Sequence, residues 1–120
     1  MKTQLINVDD HGVQYTSLMF VCPGCKEVGR KGNEGLHMLP VNSPHIDKPS
    51  WEWDGNLEFP TLSPSILTRG GALGKDGVCH SFLKAGIFEF LTDSTHSFSG
   101  QKVPLPDLPT WAEREAEDGG

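Results

Sequence analysis

The sequence predicts a mostly β fold, with a small antiparallel sheet and long irregular loops. Glycine and proline supply 14 and 9 of the 120 residues, which favours turns over long helices. Short runs of β-branched and aromatic residues alternate with clusters of turn-forming residues, as strands do. The segment Cys22-Pro23-Gly24-Cys25 is typical of a zinc knuckle. The length is that of one domain, so we predict a single zinc-binding β domain over residues 1–110 and an acidic C-terminal tail over 111–120.

The first predicted strand covers residues 13–21, which are rich in β-branched, aromatic and large apolar types. It enters a tight turn at residues 22–25. Residues 26–35 are charged and rich in glycine, which predicts an exposed loop and a poor helix. A short strand is expected at 36–41.

The middle of the chain predicts a second pair of extended segments. Trp51 and Trp53 alternate with Glu52, so both rings are expected on one strand face. Residues 54–56 form a hairpin turn signal. The following segment, 57–67, is extended but contains prolines, which predicts an edge strand.

The last part of the domain holds the clearest hairpin, with strands at 78–83 and 87–91 around Lys84-Ala85-Gly86. The glycine-dense loop at 70–77 is not a phosphate-binding P-loop, because Arg69 stands where that motif needs glycine. Residues from 97 to 109 are expected to form an irregular arm over the surface.

The net charge of −6 and a pI near 5.2 argue against nucleic-acid binding. No apolar run has the length of a signal peptide or a membrane span, so we expect neither secretion nor membrane attachment. Three cysteines do not suggest a disulfide framework, and a reducing, cytoplasmic compartment is expected. The sequence does not predict the oligomeric state.

Cys22 and Cys25 are the strongest metal-ligand candidates, because a Cys-x-x-Cys turn lets two thiolates converge on one tetrahedral ion. Ordinary buried thiols or a redox dithiol are the alternatives, and the redox motif normally caps a helix. Cys79 is the predicted third ligand and His96 the fourth. His37 is a rival to His96, since it lies closer to the knuckle in sequence. His11 and His45 are not expected to bind metal.

Cys79 and His80 are neighbours on a predicted strand, so their side chains should point to opposite faces. If Cys79 faces the metal, His80 is free to act as a base on the other face. Three hydroxyls at period two, on Thr61, Ser63 and Ser65, could present a nucleophile beside it. Serines and threonines on an edge strand are more often simply solvated.

Several segments together resemble a family of small tailed-phage zinc-binding proteins of unassigned function, whose members often carry the uninformative label ammonia monooxygenase. The Thr-Leu-Ser-Pro-Ser-Ile stretch and the later His-x-Phe also resemble the peptidases that accompany bacterial ubiquitin-like conjugation operons. The resemblance covers most of residues 18–108. The segments that carry it are Cys22-Pro23-Gly24-Cys25, Trp51 to Trp53, Pro60 to Ile66, Cys79-His80-Ser81-Phe82, Asp93 to His96 and Gly100-Gln101.

The resemblance to the peptidases implies serine-type cleavage of a ubiquitin-like conjugate, with Ser65 as nucleophile, Ser63 as the alternative and His80 as base. Asp93 is the nearest acidic candidate to orient His80, while Glu89 or a backbone carbonyl could serve instead. Amides of the 70–77 loop could supply an oxyanion site. Cys79 directly precedes His80, which departs from the peptidase pattern and leaves an exchange of metal and catalytic roles open.

The resemblance to the tailed-phage proteins implies a phage-encoded protein of the host cytoplasm, and the cysteine pattern predicts that zinc stabilises it. It is either a serine-type hydrolase acting on a host peptide or ubiquitin-like conjugate, or a non-enzymatic zinc module that binds a host protein. In the second case an exposed aromatic face around Trp51 and Trp53 would be the binding surface. Hydrolysis at the zinc itself would need an open coordination position, which three thiolates disfavour.

Overall fold

The computed structural model describes residues 1–28, 35–70 and 76–109. The predicted mostly β class is confirmed, since two antiparallel sheets and one short helix make up the regular structure of these ranges. Those residues contain no helix long and apolar enough to cross a membrane. The elements are β1 (Gln4–Asp10), β2 (Val13–Val21), α1 (Pro23–Val28), β3 (Leu36–Val41), β4 (Glu52–Trp53), β5 (Leu62–Arg69), β6 (Val78–Lys84), β7 (Ile87–Phe90) and β8 (Lys102–Pro104).

The first sheet has three strands in the order β1-β2-β3. Strand β1 was not predicted, because its polar residues have low strand propensity, and it forms by pairing with β2 along its whole length. The turn between them, His11-Gly12, has φ values of 51° and 87°, as a two-residue hairpin turn requires. Pairing therefore outweighs local propensity at this end of the chain.

The second sheet has five strands in the order β4-β5-β6-β7-β8. The predicted hairpin is present as β6 and β7, joined by Ala85-Gly86 with φ values of 49° and 77°. The predicted irregular arm contributes β8 to this sheet. The predicted strand at 57–67 is displaced, since its regular part is β5. It is an edge strand only in part, because the two-residue strand β4 pairs with its first two residues, Leu62 and Ser63.

The hydrophobic core lies between the two sheets. Its fully buried side chains include Leu18 and Phe20 of β2, Leu83 of β6 and Phe88 of β7, and the Phe20 and Phe88 rings lie 6.0 Å apart. Burying side chains of this size is the main contribution to stability in a domain this small. The partly buried Trp51 and Trp53 pack against this cluster.

The knuckle differs from the predicted simple turn, because Pro23 starts the short helix α1. The predicted loops at 26–35 and 70–77 lie partly outside the described residues, and the acidic tail at 111–120 lies wholly outside them. The division into a domain and a tail remains a prediction.

Candidate active site and metal centre

Strand β6 separates two groups of polar side chains by its alternation. Cys79 is 3% exposed and belongs to the core, whereas the His80 side chain is 23% exposed on the opposite face. Successive strand residues point to opposite faces, which is the geometry expected from the sequence. One side of β6 therefore carries a thiol and the other an imidazole.

Ser65 reaches His80 across the sheet. Strand β5 pairs Leu62 with Leu83 and then Ile66 with Ser81, so β5 holds two more residues than β6 over this stretch. Such an irregularity can re-aim a side chain, and the Ser63–Pro64 peptide within it is cis. Ser65 Oγ lies 3.0 Å from His80 Nε2. The distance is that of a hydrogen bond between a hydroxyl and an imidazole.

Asp93 contacts the other nitrogen of the same ring. Its Oδ2 lies 2.9 Å from His80 Nδ1, in the turn that follows β7. A carboxylate accepts, so Nδ1 carries the proton and Nε2 is left to accept from the Ser65 hydroxyl. The side chain of Asp93 is 52% exposed, so this hydrogen bond is partly screened by water.

The backbone of His80 is held by the same turn. Ser94 Oγ accepts from the His80 N–H at 3.0 Å and donates to the His80 carbonyl at 3.1 Å. The His80 carbonyl also accepts from the Leu91 N–H at 2.8 Å. These bonds fix the histidine relative to the carboxylate of Asp93.

Trp51 fixes the position of the serine. Its indole Nε1 donates to the Ser65 carbonyl at 3.2 Å. The backbone of Trp51 is anchored in turn, since its N–H donates to the Pro40 carbonyl and its carbonyl accepts from the Asn42 N–H. The sequence did not predict this contact, because no pattern links a tryptophan to a backbone carbonyl 14 residues away.

The alternatives to these residues are arranged differently. Ser63 is exposed and lines a separate cavity of about 240 Å³ with Trp53, and in the described ranges it makes no hydrogen bond to a histidine. Glu89 pairs with Lys84 at 3.6 Å instead of contacting His80. The proposed oxyanion donors in the 70–77 loop fall mostly at residues 71–75, outside the described residues.

The core face of β6 meets a cluster of metal-binding side chains. Ligand atoms of Cys22, Cys25 and His37 all lie within 4.8 Å of one another. Cys79 Sγ lies 3.6 Å from Cys22 Sγ. These four side chains are close together and could bind a metal ion.

The three thiols shift one another's pKa values. Hydrogen bonds with Cys25 and Cys79 hold the pKa of Cys22 far below its ordinary value. The hydrogen bond to Cys22 raises the pKa of Cys25 to about 12, and hydrogen bonds with Cys22 and Cys25 raise the pKa of Cys79 well above its ordinary value. A divalent ion among the sulfurs would favour the deprotonated form of all three thiols.

Two histidines approach the cluster in different ways. His37 Nε2 is buried and has no hydrogen-bond partner in the described part of the chain, although its ring stacks on Phe20 at 5.6 Å. His96 Nε2 lies 3.2 Å from Cys79 Sγ, and His96 Nδ1 accepts from the Phe98 N–H at 3.2 Å. Because Nδ1 accepts, Nε2 of the neutral ring carries the proton and donates to the sulfur.

Gly24 explains how the knuckle accommodates His96. A Cβ at this position would collide with the imidazole ring of His96. Glycine in the knuckle is therefore needed for the close approach of a histidine that lies 72 positions further along the chain. Of the remaining histidines, His11 is exposed and His45 contacts the Gln14 carbonyl at 2.7 Å.

A serine bonded to a histidine that is bonded in turn to an aspartate is the arrangement of serine hydrolases. Here it lies on a β-sheet whose opposite face carries a cluster that could bind a metal ion. The family model described as "Bacterial ubiquitination-like system serine protease (BubE)" matches residues 1–91. The chain belongs to this family. The match includes Ser65, His80 and the four clustered side chains, while Asp93 and His96 follow it. No curated protein and no solved structure matches the chain.

Proposed function

We propose that this protein is a serine-type peptidase that cleaves a peptide or a ubiquitin-like conjugate, with Ser65 as nucleophile, His80 as general base and Asp93 as the group that orients His80. The observation that carries the proposal is the continuous hydrogen-bonded chain from Ser65 Oγ through the His80 ring to Asp93 Oδ2. Membership of a serine protease family supports it.

The geometry favours acyl transfer. As Ser65 Oγ attacks the scissile carbonyl, its proton passes to His80 Nε2, and a bond forms between Oγ and the carbonyl carbon. The imidazolium then protonates the leaving amine as the acyl bond to nitrogen breaks. Water then attacks the ester carbonyl and gives a proton to His80 Nε2, the bond between the acyl carbon and Ser65 Oγ breaks, and the imidazolium returns the proton to Oγ. Asp93 stabilises the imidazolium and keeps Nδ1 protonated throughout.

The alternative is that Ser65, His80 and Asp93 form a hydrogen-bond network that only stabilises the sheet. The Asp93 side chain is half exposed, and an ion pair in such a position contributes little to the stability of the fold. The partial exposure of His80 also leaves room for a substrate beside the ring. We therefore prefer the catalytic interpretation.

We further propose that the metal is zinc and that its role is structural, with Cys22, Cys25, Cys79 and His37 as ligands. The unpartnered Nε2 of His37 offers the lone pair that a metal would take, and the three crowded thiols suit zinc. His96, the fourth ligand expected from the sequence, would instead donate a hydrogen bond to the Cys79 thiolate. Bound zinc would join α1, β3 and β6, and four protein ligands would leave no position for a reactive water.

The finer parts of the function are also proposals: that the chain is phage-encoded, and that it acts on a host protein in the host cytoplasm. Their support is the resemblance of the knuckle and tryptophan segments to small tailed-phage proteins. The non-enzymatic binding module is less favoured, because Trp51 and Trp53 pack against the core instead of forming an exposed aromatic face.

A fluorophosphonate probe, which reacts with activated serines, tests the catalytic proposal. Wild-type protein should be labelled on Ser65, and Ser65→Ala should abolish labelling. Ser63→Ala is the matched control, because Ser63 lies two residues away on the same strand and makes no bond to His80. Labelling that persists in Ser65→Ala, or that is absent from folded wild-type protein, would contradict the proposal.

A further inference from the structure

The outer side of β5 is only partly covered. Strand β4 pairs with β5 at Leu62 and Ser63 alone, whereas β6 pairs along the other side of β5 as far as Arg69. Beyond Ser63, β5 therefore continues as an edge strand. Exposed edge strands present unpaired backbone N–H and C=O groups.

The hydrogen bonds of β6 show which of its residues face away from β5. The His80 N–H and carbonyl bond to Ser94 and Leu91, and the Val78 carbonyl accepts from the Thr95 N–H. Because backbone groups of successive strand residues point to opposite sides, the residues between and beside them, Cys79 and Ser81, direct theirs toward β5.

The register between β5 and β6 then determines which backbone groups of β5 point toward β6. Ile66 is opposite Ser81 and Thr68 is opposite Cys79, so Ile66 and Thr68 direct their backbone groups toward β6. Leu67 and Arg69 consequently direct theirs outward. Ser65 is two residues before Leu67, so its backbone groups also point outward, and its carbonyl accepts a hydrogen bond from the Trp51 indole.

Leu67 and Arg69 are both exposed residues. In the ranges that the structure describes, no backbone hydrogen bond reaches them from the outer side, and the Leu67 residue is 45% exposed. We call this stretch, Leu67 to Arg69, the open edge. It is short and ends in an arginine, which limits the self-association to which long apolar edges are prone.

We propose that the open edge binds the substrate as an extended strand antiparallel to β5, which brings the scissile carbonyl to Ser65. This inference rests on the proposed function. Ser65 is the next outward-facing residue before Leu67, about 6.5 Å along the strand at roughly 3.3 Å per residue, so a paired peptide ends beside the nucleophile. In the antiparallel orientation, the residues on the acyl side of the scissile bond lie along Leu67 and Arg69.

The proposal defines the class of substrate. Pairing through main-chain hydrogen bonds requires a flexible or extended segment of at least a few residues upstream of the scissile bond, such as the tail of a modifier protein. A bond within a helix or a folded loop would not dock on the open edge. Affinity would come from the peptide backbone, with side chains at alternate positions giving specificity.

The first test uses wild-type protein and a panel of N-acetylated tetrapeptide coumarin amides. For the member cleaved fastest, each backbone amide upstream of the scissile bond is N-methylated in turn. Strand pairing predicts an alternating result: methylation at one of two neighbouring positions lowers kcat/KM on the order of tenfold or more, and at the other has little effect. A uniform response, or tolerance at every position, would overturn the proposal.

The second test removes the outward amide of β5 itself. Leu67→Pro deletes an N–H that β6 does not use, and proline is tolerated where a strand amide faces solvent. We expect a higher KM for the coumarin peptide, roughly threefold to tenfold for one lost hydrogen bond, with fluorophosphonate labelling of Ser65 retained.

Lys102→Pro is the matched control at the far edge of the same sheet. The Gln101 carbonyl accepts from the N–H of Phe90 in β7, and the Leu105 N–H donates to the Gly86 carbonyl in the turn before β7. The backbone groups of Lys102 therefore face outward, as do those of the native Pro104 two residues on. This variant should cleave the peptides as wild type does. Equal loss in both proline variants would overturn the open-edge proposal.

The two proposals fail in different ways. Absence of fluorophosphonate labelling contradicts the proposed function. Labelling of Ser65 with no cleavage of any tetrapeptide, or with cleavage that Leu67→Pro does not change, contradicts the open edge alone.

Discussion

Replacing His37 and His96 separately by alanine tests the metal centre most directly. In the proposed arrangement His37 supplies a nitrogen ligand, whereas His96 donates a hydrogen bond to the Cys79 thiolate from outside the ligand set. His37→Ala should therefore remove a metal ligand. His96→Ala should leave all four ligands in place.

The expected magnitudes differ accordingly. Loss of a hydrogen bond to a ligand typically lowers metal affinity about 10–100-fold, which is the effect we expect for His96→Ala. His37→Ala should weaken binding well beyond that range, because zinc binding contributes on the order of 10–16 kcal/mol in small structural sites and a tetrahedral site loses one of its bonds. Since the whole domain is stabilised by roughly 5–15 kcal/mol, the variant should also unfold readily.

The stability of the two variants alone does not show which histidine is the ligand, because each ring also packs against an aromatic side chain. His37 stacks on Phe20, and the His96 ring lies 4.7 Å from the Phe90 ring. The measurement is therefore competition with a chromophoric chelator, together with the absorption spectrum of the cobalt-substituted protein. His96→Ala should keep the tetrahedral cobalt bands and His37→Ala should change them. The reverse result would make His96 the fourth ligand, as the sequence first suggested.

Three further predictions concern the neighbouring residues. Asp93→Asn should lower kcat/KM for peptide cleavage about 10–100-fold, the range of one charge-assisted hydrogen bond of roughly 1.5–3 kcal/mol, and an unchanged rate would exclude Asp93 from the mechanism. Cys79→Ser should empty the metal site and destabilise the fold while His80→Ala keeps zinc content near wild type, and metal analysis showing the opposite would reverse the two assignments. Trp51→Phe should slow labelling of Ser65 severalfold, since it removes a neutral hydrogen bond of about 1 kcal/mol to the Ser65 carbonyl. Trp53→Phe is its control, because that indole donates to Asn56 instead, and equal slowing in both would show a packing effect.

Strand periodicity predicted the most about the site. Alternation alone placed Cys79 and His80 on opposite faces of one strand, and the structure has this arrangement. Ser65 was chosen as the candidate nucleophile by family resemblance. Its hydrogen bond to His80 depends on an irregular β5–β6 register that no sequence pattern predicts. The structure contains the hydrogen bond between Ser65 and His80, while the catalytic roles of these residues remain predictions.

Long-range loop packing explains what the sequence could not settle. His37 and His96 both reach the thiols, and the choice between them depends on a hydrogen bond from the Phe98 backbone that fixes the tautomer of His96. Strand β1 was missed because its residues favour strands only when β2 is present. Both features arise from tertiary contacts instead of local sequence.

The candidate active site and the metal-binding cluster are both contacted by the segment that follows β7. Asp93 contacts His80 and His96 contacts Cys79, so one four-residue segment touches both faces of β6 at adjacent positions. Ser94 within that segment also bonds the His80 backbone. Displacing Cys79 should therefore misalign His80, even though the metal has no chemical role in the proposed mechanism.

Removal of the metal by a chelator should consequently abolish fluorophosphonate labelling of Ser65. Labelling and near-UV circular dichroism should be lost together and return together when zinc is added back. A catalytic metal would behave differently, because activity would disappear while the fold and the labelling of the serine were retained. Such a separation would refute the structural role, since the ligands on β6 would then not be needed to hold His80 in place.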